Sequence, residues 1–218
     1  MNIEAAFVIS AATVRDFPQD ALPGVALVGR SNVGKSTLIN ALLRQRMART
    51  SAAPGKTRLA NIYRVTRGGA APFHLVDLPG YGYARGGRES AGEFEALTRA
   101  YFARETTAGL LLVDSRHPGL ASDREAWQWI RGAVAEAAIV ATKIDKLARG
   151  ERIRAMRELE SVFDEPVLPV SAVTGEGLDH LWKLIDRLLN SSSNPQPRRS
   201  SPAPTAATAR PRPHRRKS

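Results

Sequence analysis

The run Gly29-Arg30-Ser31-Asn32-Val33-Gly34-Lys35-Ser36 matches the pattern G-x-x-x-x-G-K-[S/T], and it constrains this chain more than any other feature. It follows the apolar stretch Val25-Ala26-Leu27-Val28. It leads through Thr37 into Leu38, Ile39, Ala41 and Leu42 at helical spacing. That order predicts a buried strand, a tight glycine loop and a helix. The glycines let backbone N–H groups converge on phosphate oxygens, and the helix N-terminus adds positive potential. Lys35 supplies a point charge for the β- and γ-phosphates, and the Ser36 hydroxyl a magnesium ligand. Taken alone, the motif leaves ATP and GTP unseparated, and a glycine turn with a solvated lysine is the bland alternative.

The rest of the chain repeats the strand-then-helix rhythm. Phe73-His74-Leu75-Val76, Leu110-Leu111-Leu112-Val113, Ala138-Ile139-Val140 and Val167-Leu168-Pro169-Val170 read as further buried strands, with Arg58 to Arg67 as an edge strand beside them. Leu178, Leu181, Trp182, Ile185, Leu188 and Leu189 form one apolar helical stripe, and Trp127, Ile130 and Val134 another. The pattern predicts a three-layer α/β fold, with six mainly parallel strands covered by helices on both faces. Residues 1 to 190 form its one domain.

Four more elements fall in loops or at strand ends. Pro54-Gly55-Lys56-Thr57, followed by Arg58 and Leu59, offers a threonine hydroxyl to magnesium and an N–H to a γ-phosphate. Asp77-Leu78-Pro79-Gly80 offers a carboxylate to a magnesium-bound water, and a glycine N–H to the γ-phosphate. In Thr142-Lys143-Ile144-Asp145, Asp145 can accept two hydrogen bonds from guanine, which adenine cannot supply. Val170-Ser171-Ala172 follows the last strand and can present N–H groups to the guanine O6. Each is weak alone. Five in this order, at the edge where open α/β sheets bind ligands, predict a GTP site. Lys35, Thr57, Asp77 and Gly80 are its catalytic candidates, and Ser36 and Thr57 its metal ligands.

Composition narrows the setting. There are no cysteines, which excludes disulfides and thiolate metal sites and fits a reducing cytoplasm. No apolar run approaches the roughly 18 residues of a membrane span, so membrane insertion is not expected. The net charge is +11, and seven of those charges lie after Ser191, a stretch without any acid. Residues 191 to 218, rich in Ser, Pro, Ala and Arg, read as a disordered basic tail. That tail is either a solvated extension or an electrostatic contact to RNA. Tyr81 and Tyr83 could equally stack on RNA bases or pack their own loop.

These motifs resemble the TRAFAC class of GTPases. More narrowly they resemble the EngB family (also called YsxC or YihA) of bacterial ribosome-biogenesis GTPases. The matches are Gly29 to Ser36, Pro54 to Thr57, Asp77-Leu78-Pro79-Gly80-Tyr81-Gly82-Tyr83-Ala84 and Thr142-Lys143-Ile144-Asp145-Lys146-Leu147. The resemblance implies a Ras-like fold, GTP or GDP with magnesium, a monomer, and work on large ribosomal subunit precursors and their rRNA. It also implies a link to cell division and septation. The competing function is a guanine-nucleotide-dependent binding module for division proteins, with incidental hydrolysis. Thr142 stands where the wider class carries Asn, and Tyr81 where many members carry a water-positioning Gln, which implies slow intrinsic hydrolysis. Asn32 matches an asparagine that helps hold a potassium ion in related GTPases. Alternatively, it only braces its loop.

Overall fold

The computed structural model describes residues 2–48, 59–81, 96–104 and 106–193. Strand β2 (Gly24–Gly29) is buried at every position because it lies in the middle of the sheet, with both faces covered. Its neighbours are β4 (Phe73–Asp77) and β5 (Thr107–Asp114), both parallel to it and also buried throughout. Beyond β5 come β6 (Glu136–Thr142) and β7 (Val167–Pro169), again parallel. Beyond β4 the pairing turns antiparallel, through β3 (Ala60–Arg67) to β1 (Ile3–Ala11). The sheet order is therefore β1-β3-β4-β2-β5-β6-β7.

Seven strands replace the six expected from sequence, and the added strand corrects a second expectation. The edge is β1, while β3, read as an edge strand, lies inside it. Strand β1 escapes notice because its alanines and its exposed Phe7 and Val8 give no buried-face alternation, and the register slips between Phe7 and Ile9.

Period-2 alternation divides the core into two layers. Ala26, Val28, Leu111, Val113, Ile139 and Ala141 face one side. There they meet α2 (helical over 96–102), α3 (Ala121–Ala133) and α4 (Arg149–Phe163) through Tyr101, Trp127, Ile130, Leu159 and Phe163. Val25, Leu27, Leu110, Leu112 and Val140 face the other side. That face is covered by α1 (Lys35–Leu43) and α5 (Leu178–Ser193) through Leu38, Ile39, Leu42, Leu181, Trp182 and Ile185. Both apolar stripes read from the sequence are thus the buried faces of helices, although Val134 sits just past the end of α3 as its C-cap. Ser191 to Ser193 continue α5, three residues into the expected tail, with the Ser192 hydroxyl donating to the Leu188 carbonyl at 2.7 Å. The remainder of that tail lies outside the described residues.

The C-terminal ends of β2, β4, β5 and β6, with the turn after β7, converge on one edge of the sheet. The order of the strands reverses around β2, so the loop after β2 opens at the topological switch point.

Candidate functional site

Residues 29–36 form that loop. Gly34 has φ 106°, a left-handed conformation that a side chain would strain, and from there the chain enters α1 at Lys35. The Lys35 amine donates to the Gly29 carbonyl at 3.0 Å and to the Arg30 carbonyl at 3.4 Å, so the side chain folds back over its own loop. The Ser36 hydroxyl donates to Asp77 Oδ2 at 3.0 Å. Asp77 closes β4 and is buried.

Burial sets the electrostatics here. It pulls the Lys35 pKa below its ordinary value, which the Asp77 charge only partly offsets. It pushes Asp77 up, against Lys35 and the Ser36 hydroxyl. Both charged forms are therefore short of partners, which a polyanion over Lys35 and a divalent cation beside Ser36 and Asp77 would supply. The donors at the cation position are hard oxygens, the set magnesium prefers. Ser36 would ligate the ion and Asp77 would hold one of its waters.

The segment after β4 lies directly on the loop. Leu78 N–H donates to the Leu27 carbonyl at 3.3 Å, and Leu78 and Pro79 are buried. A Cβ on Gly80 would come within 2.8 Å of the Ser31 nitrogen, so only glycine fits this approach. Ser31 N–H donates to the Tyr81 carbonyl at 3.2 Å.

Thr142, at the end of β6, is buried and anchors the loop from the other side. Its hydroxyl lies 2.7 Å from the Val33 carbonyl and 3.1 Å from the Val113 carbonyl. Lys143 takes φ 62° and sends its amine to the Asn32 carbonyl at 2.5 Å and to Asp114 Oδ2 at 2.9 Å. Asn32 is itself left-handed at φ 65°, and its side chain has no hydrogen-bond partner among the described residues. Ile144 is buried and begins a 3-10 turn. Asp145 Oδ1 accepts from the Ser171 hydroxyl at 2.7 Å, and Lys146 is 3.5 Å from Oδ2. The Ser171 bond comes first among the causes that hold the Asp145 carboxyl below its ordinary pKa. Ser171 is buried, and its oxygen accepts the N–H groups of Val173 and Thr174 at 3.2 and 3.1 Å. Val170 N–H donates to the Ala141 carbonyl at 2.8 Å, which aligns Ala172 and its neighbours with the end of β6.

Most of the sequence-predicted residues therefore gather at one edge: Gly29 to Thr37, Asp77 to Gly80, Thr142 to Asp145 and Val170 to Ala172. Gly55, Lys56, Thr57 and Arg58 lie outside the described residues. Leu59, just before β3, is partly exposed.

Sequence reasoning missed two partners. Asp114 closes β5, is buried, and accepts from Lys143 and from Arg116, whose Nε and Nη2 lie at 2.9 and 2.7 Å. Burial pushes the Asp114 carboxyl up, but the Arg116 and Lys143 bonds outweigh it and hold the group well below the carboxylate range. Asp123, in the first turn of α3, is buried and accepts from the Tyr81 phenol. A carboxylate closing an all-apolar run, as in Leu110 to Asp114, was the available signal for the first. Nothing in the sequence spacing marks the second.

Comparison with known proteins agrees with this geometry. A family model described as "50S ribosome-binding GTPase" matches residues 24–143. The chain is 42% identical over 190 residues to "Probable GTP-binding protein EngB" of Pelotomaculum thermopropionicum, covering 84% of this chain and 94% of the relative. Among solved structures, Era in complex with MgGDPNP and nucleotides 1506–1542 of 16S ribosomal RNA superposes with a TM-score of 0.67 at 25% identity. That match covers 77% of this chain and 56% of Era. A probable GTP-binding protein engB superposes with a TM-score of 0.60 at 23% identity, over 77% of this chain and 99% of the other, and shows the same fold.

Proposed function

This chain belongs to the EngB family of GTP-binding proteins, a family of GTPases, and from that premise we propose that it is a slow, magnesium-dependent GTPase of large ribosomal subunit assembly. One observation carries the nucleotide part. The Thr142 hydroxyl and the Lys143 amine tie the phosphate loop to the guanine motif, so a single nucleotide engages both ends of one rigid strut. Lys35 and the loop amides bind the β- and γ-phosphates, while Asp145, kept ionised by Ser171, accepts from the guanine edge. Magnesium would neutralise charge that develops on the phosphoryl oxygens. Thr57 is the second metal ligand in this reading.

Slow hydrolysis follows from Tyr81, whose phenol is spent on Asp123 and which has no amide to orient water. A potassium ion beside Asn32, whose side chain has no partner among the described residues, would add the cation that an arginine finger supplies elsewhere.

The family description supports a large-subunit partner, and the Era complex holds a related fold together with a segment of 16S ribosomal RNA. The acid-free stretch after Ser191 supplies positive charge for the same polyanion, in a cytoplasmic monomer that carries a linked role in cell division. Co-sedimentation with large-subunit precursors on sucrose gradients tests the proposal. The protein should travel with the particles with a non-hydrolysable GTP analogue and leave them with GDP. Absence from the particle fractions in both states would contradict it.

A further inference from the structure

At the β7 edge of the sheet, opposite the β1 edge, α5 and the last two strands border an open groove of about 430 Å³. Its floor is apolar, with the partly exposed Ala138, Leu168 and Leu184 over the buried Ile139 and Val167, and its rim carries the cations Lys183 and Arg187 of α5 with His180 beside them. The three rim residues are spaced by three and four, so they stand on one helix face. All three are exposed, and none forms an ion pair with a described residue. Of the two acids in α5, Asp186 is engaged by Arg67 of β3, and Asp179, one turn before Lys183, forms no ion pair with a described residue, so Lys183 and Arg187 leave this face net positive.

We propose that this groove is a docking surface for RNA, with Lys183 and Arg187 on backbone phosphates and the apolar floor against a base or ribose. The inference rests on the ribosomal reading above and places a contact that the nucleotide motifs do not provide. Charge decides between occupants. The sequence beyond Ser193 carries seven Arg or Lys residues and no acid, the same sign as the rim, so it lacks the charge that would complement the groove. A second copy docked face to face would bring two cationic rims together. A polyanion complements both the rim and the charged sequence that follows the same helix, and RNA brings, beside its phosphates, ribose and base surfaces that an aliphatic floor can contact.

The groove also stands apart from the nucleotide. Arg187 lies about 15 Å along α5 from the turn at Gly177, at roughly 1.5 Å per residue. None of the nucleotide motifs lines the groove. Removing its charge should therefore leave GTP binding intact.

The test uses the full chain and a doubly substituted variant, Lys183→Gln with Arg187→Gln. Both are titrated against a fluorescent transcript of large-subunit ribosomal RNA over a salt series, and against a fluorescent nucleotide analogue. A poly-glutamate peptide serves as a second polyanion. The variant should bind RNA about tenfold more weakly at low salt, with the slope of log affinity against log salt reduced by about 1.5. Its nucleotide affinity and thermal midpoint should match the parent. Superimposed RNA titrations, with RNA still bound by the parent, overturn the groove and leave the ribosomal reading standing. No RNA binding by the parent overturns both. Loss confined to poly-glutamate assigns the groove to an acidic protein and overturns the RNA proposal.

Discussion

The Tyr81 phenol donates a 2.8 Å hydrogen bond to Asp123 Oδ1, joining the segment after β4 to the first turn of α3. The same residue's carbonyl takes Ser31 N–H, so one tyrosine clasps the phosphate loop and a helix on the far side of the sheet. Burial raises the Asp123 pKa, and the Tyr81 bond works against that rise. It also pushes the Tyr81 phenol far up, so the phenol stays protonated and donating.

Tyr81→Phe should therefore destabilise the protein by about 1–3 kcal/mol at neutral pH, the cost of a buried acceptor left without its donor. A raised carboxyl pKa contributes stability below the unfolded value, and that contribution is lost as pH rises through the folded value. Without the phenol the Asp123 pKa climbs further, so the penalty should grow with pH across the carboxylate range. Chemical denaturation of both proteins from acid to neutral pH checks this. A penalty independent of pH would contradict it.

Asp114→Asn should weaken guanine nucleotide binding by on the order of tenfold, about 1.4 kcal/mol, because Lys143 loses the charge that aims its amine across Asn32. The depressed Asp114 pKa stabilises the fold above the unfolded value and ceases to do so as pH falls through the folded one. The difference in stability between parent and variant should accordingly be full at neutral pH and shrink in strong acid. Nucleotide titration and pH-dependent unfolding read the two effects.

The five nucleotide motifs were legible because each is short and contiguous, and sits where an apolar run ends. Their mutual bracing was not. Thr142 reaches Val33 across 109 positions of sequence, and Lys143 reaches Asn32 across 111, distances over which spacing carries no signal. Strand β1 was illegible for another reason. Ile3 and Ala5 pack against one core layer and Ile9 and Ala11 against the other, because the register slips between Phe7 and Ile9, so no single alternation runs the length of the strand.

Potassium should accelerate single-turnover GTP hydrolysis over sodium at equal ionic strength, and Asn32→Ala should abolish the difference. The Asn32 side chain, without a hydrogen-bond partner among the described residues, motivates this. Equal rates in the two salts, with and without ribosomes, would leave Asn32 as a brace for its loop, through the carbonyl that Lys143 holds.

Asp145→Asn tests the guanine assignment at its source. The Ser171 hydroxyl fixes one carboxylate oxygen, and the ionised group is what pairs with the N1–H and exocyclic amine of guanine. The amide replaces one acceptor with a donor, which matches xanthine and clashes with guanine. In a nucleotide competition assay the variant should lose GTP affinity by at least about tenfold and gain affinity for xanthosine triphosphate. An unchanged preference for GTP would contradict the account.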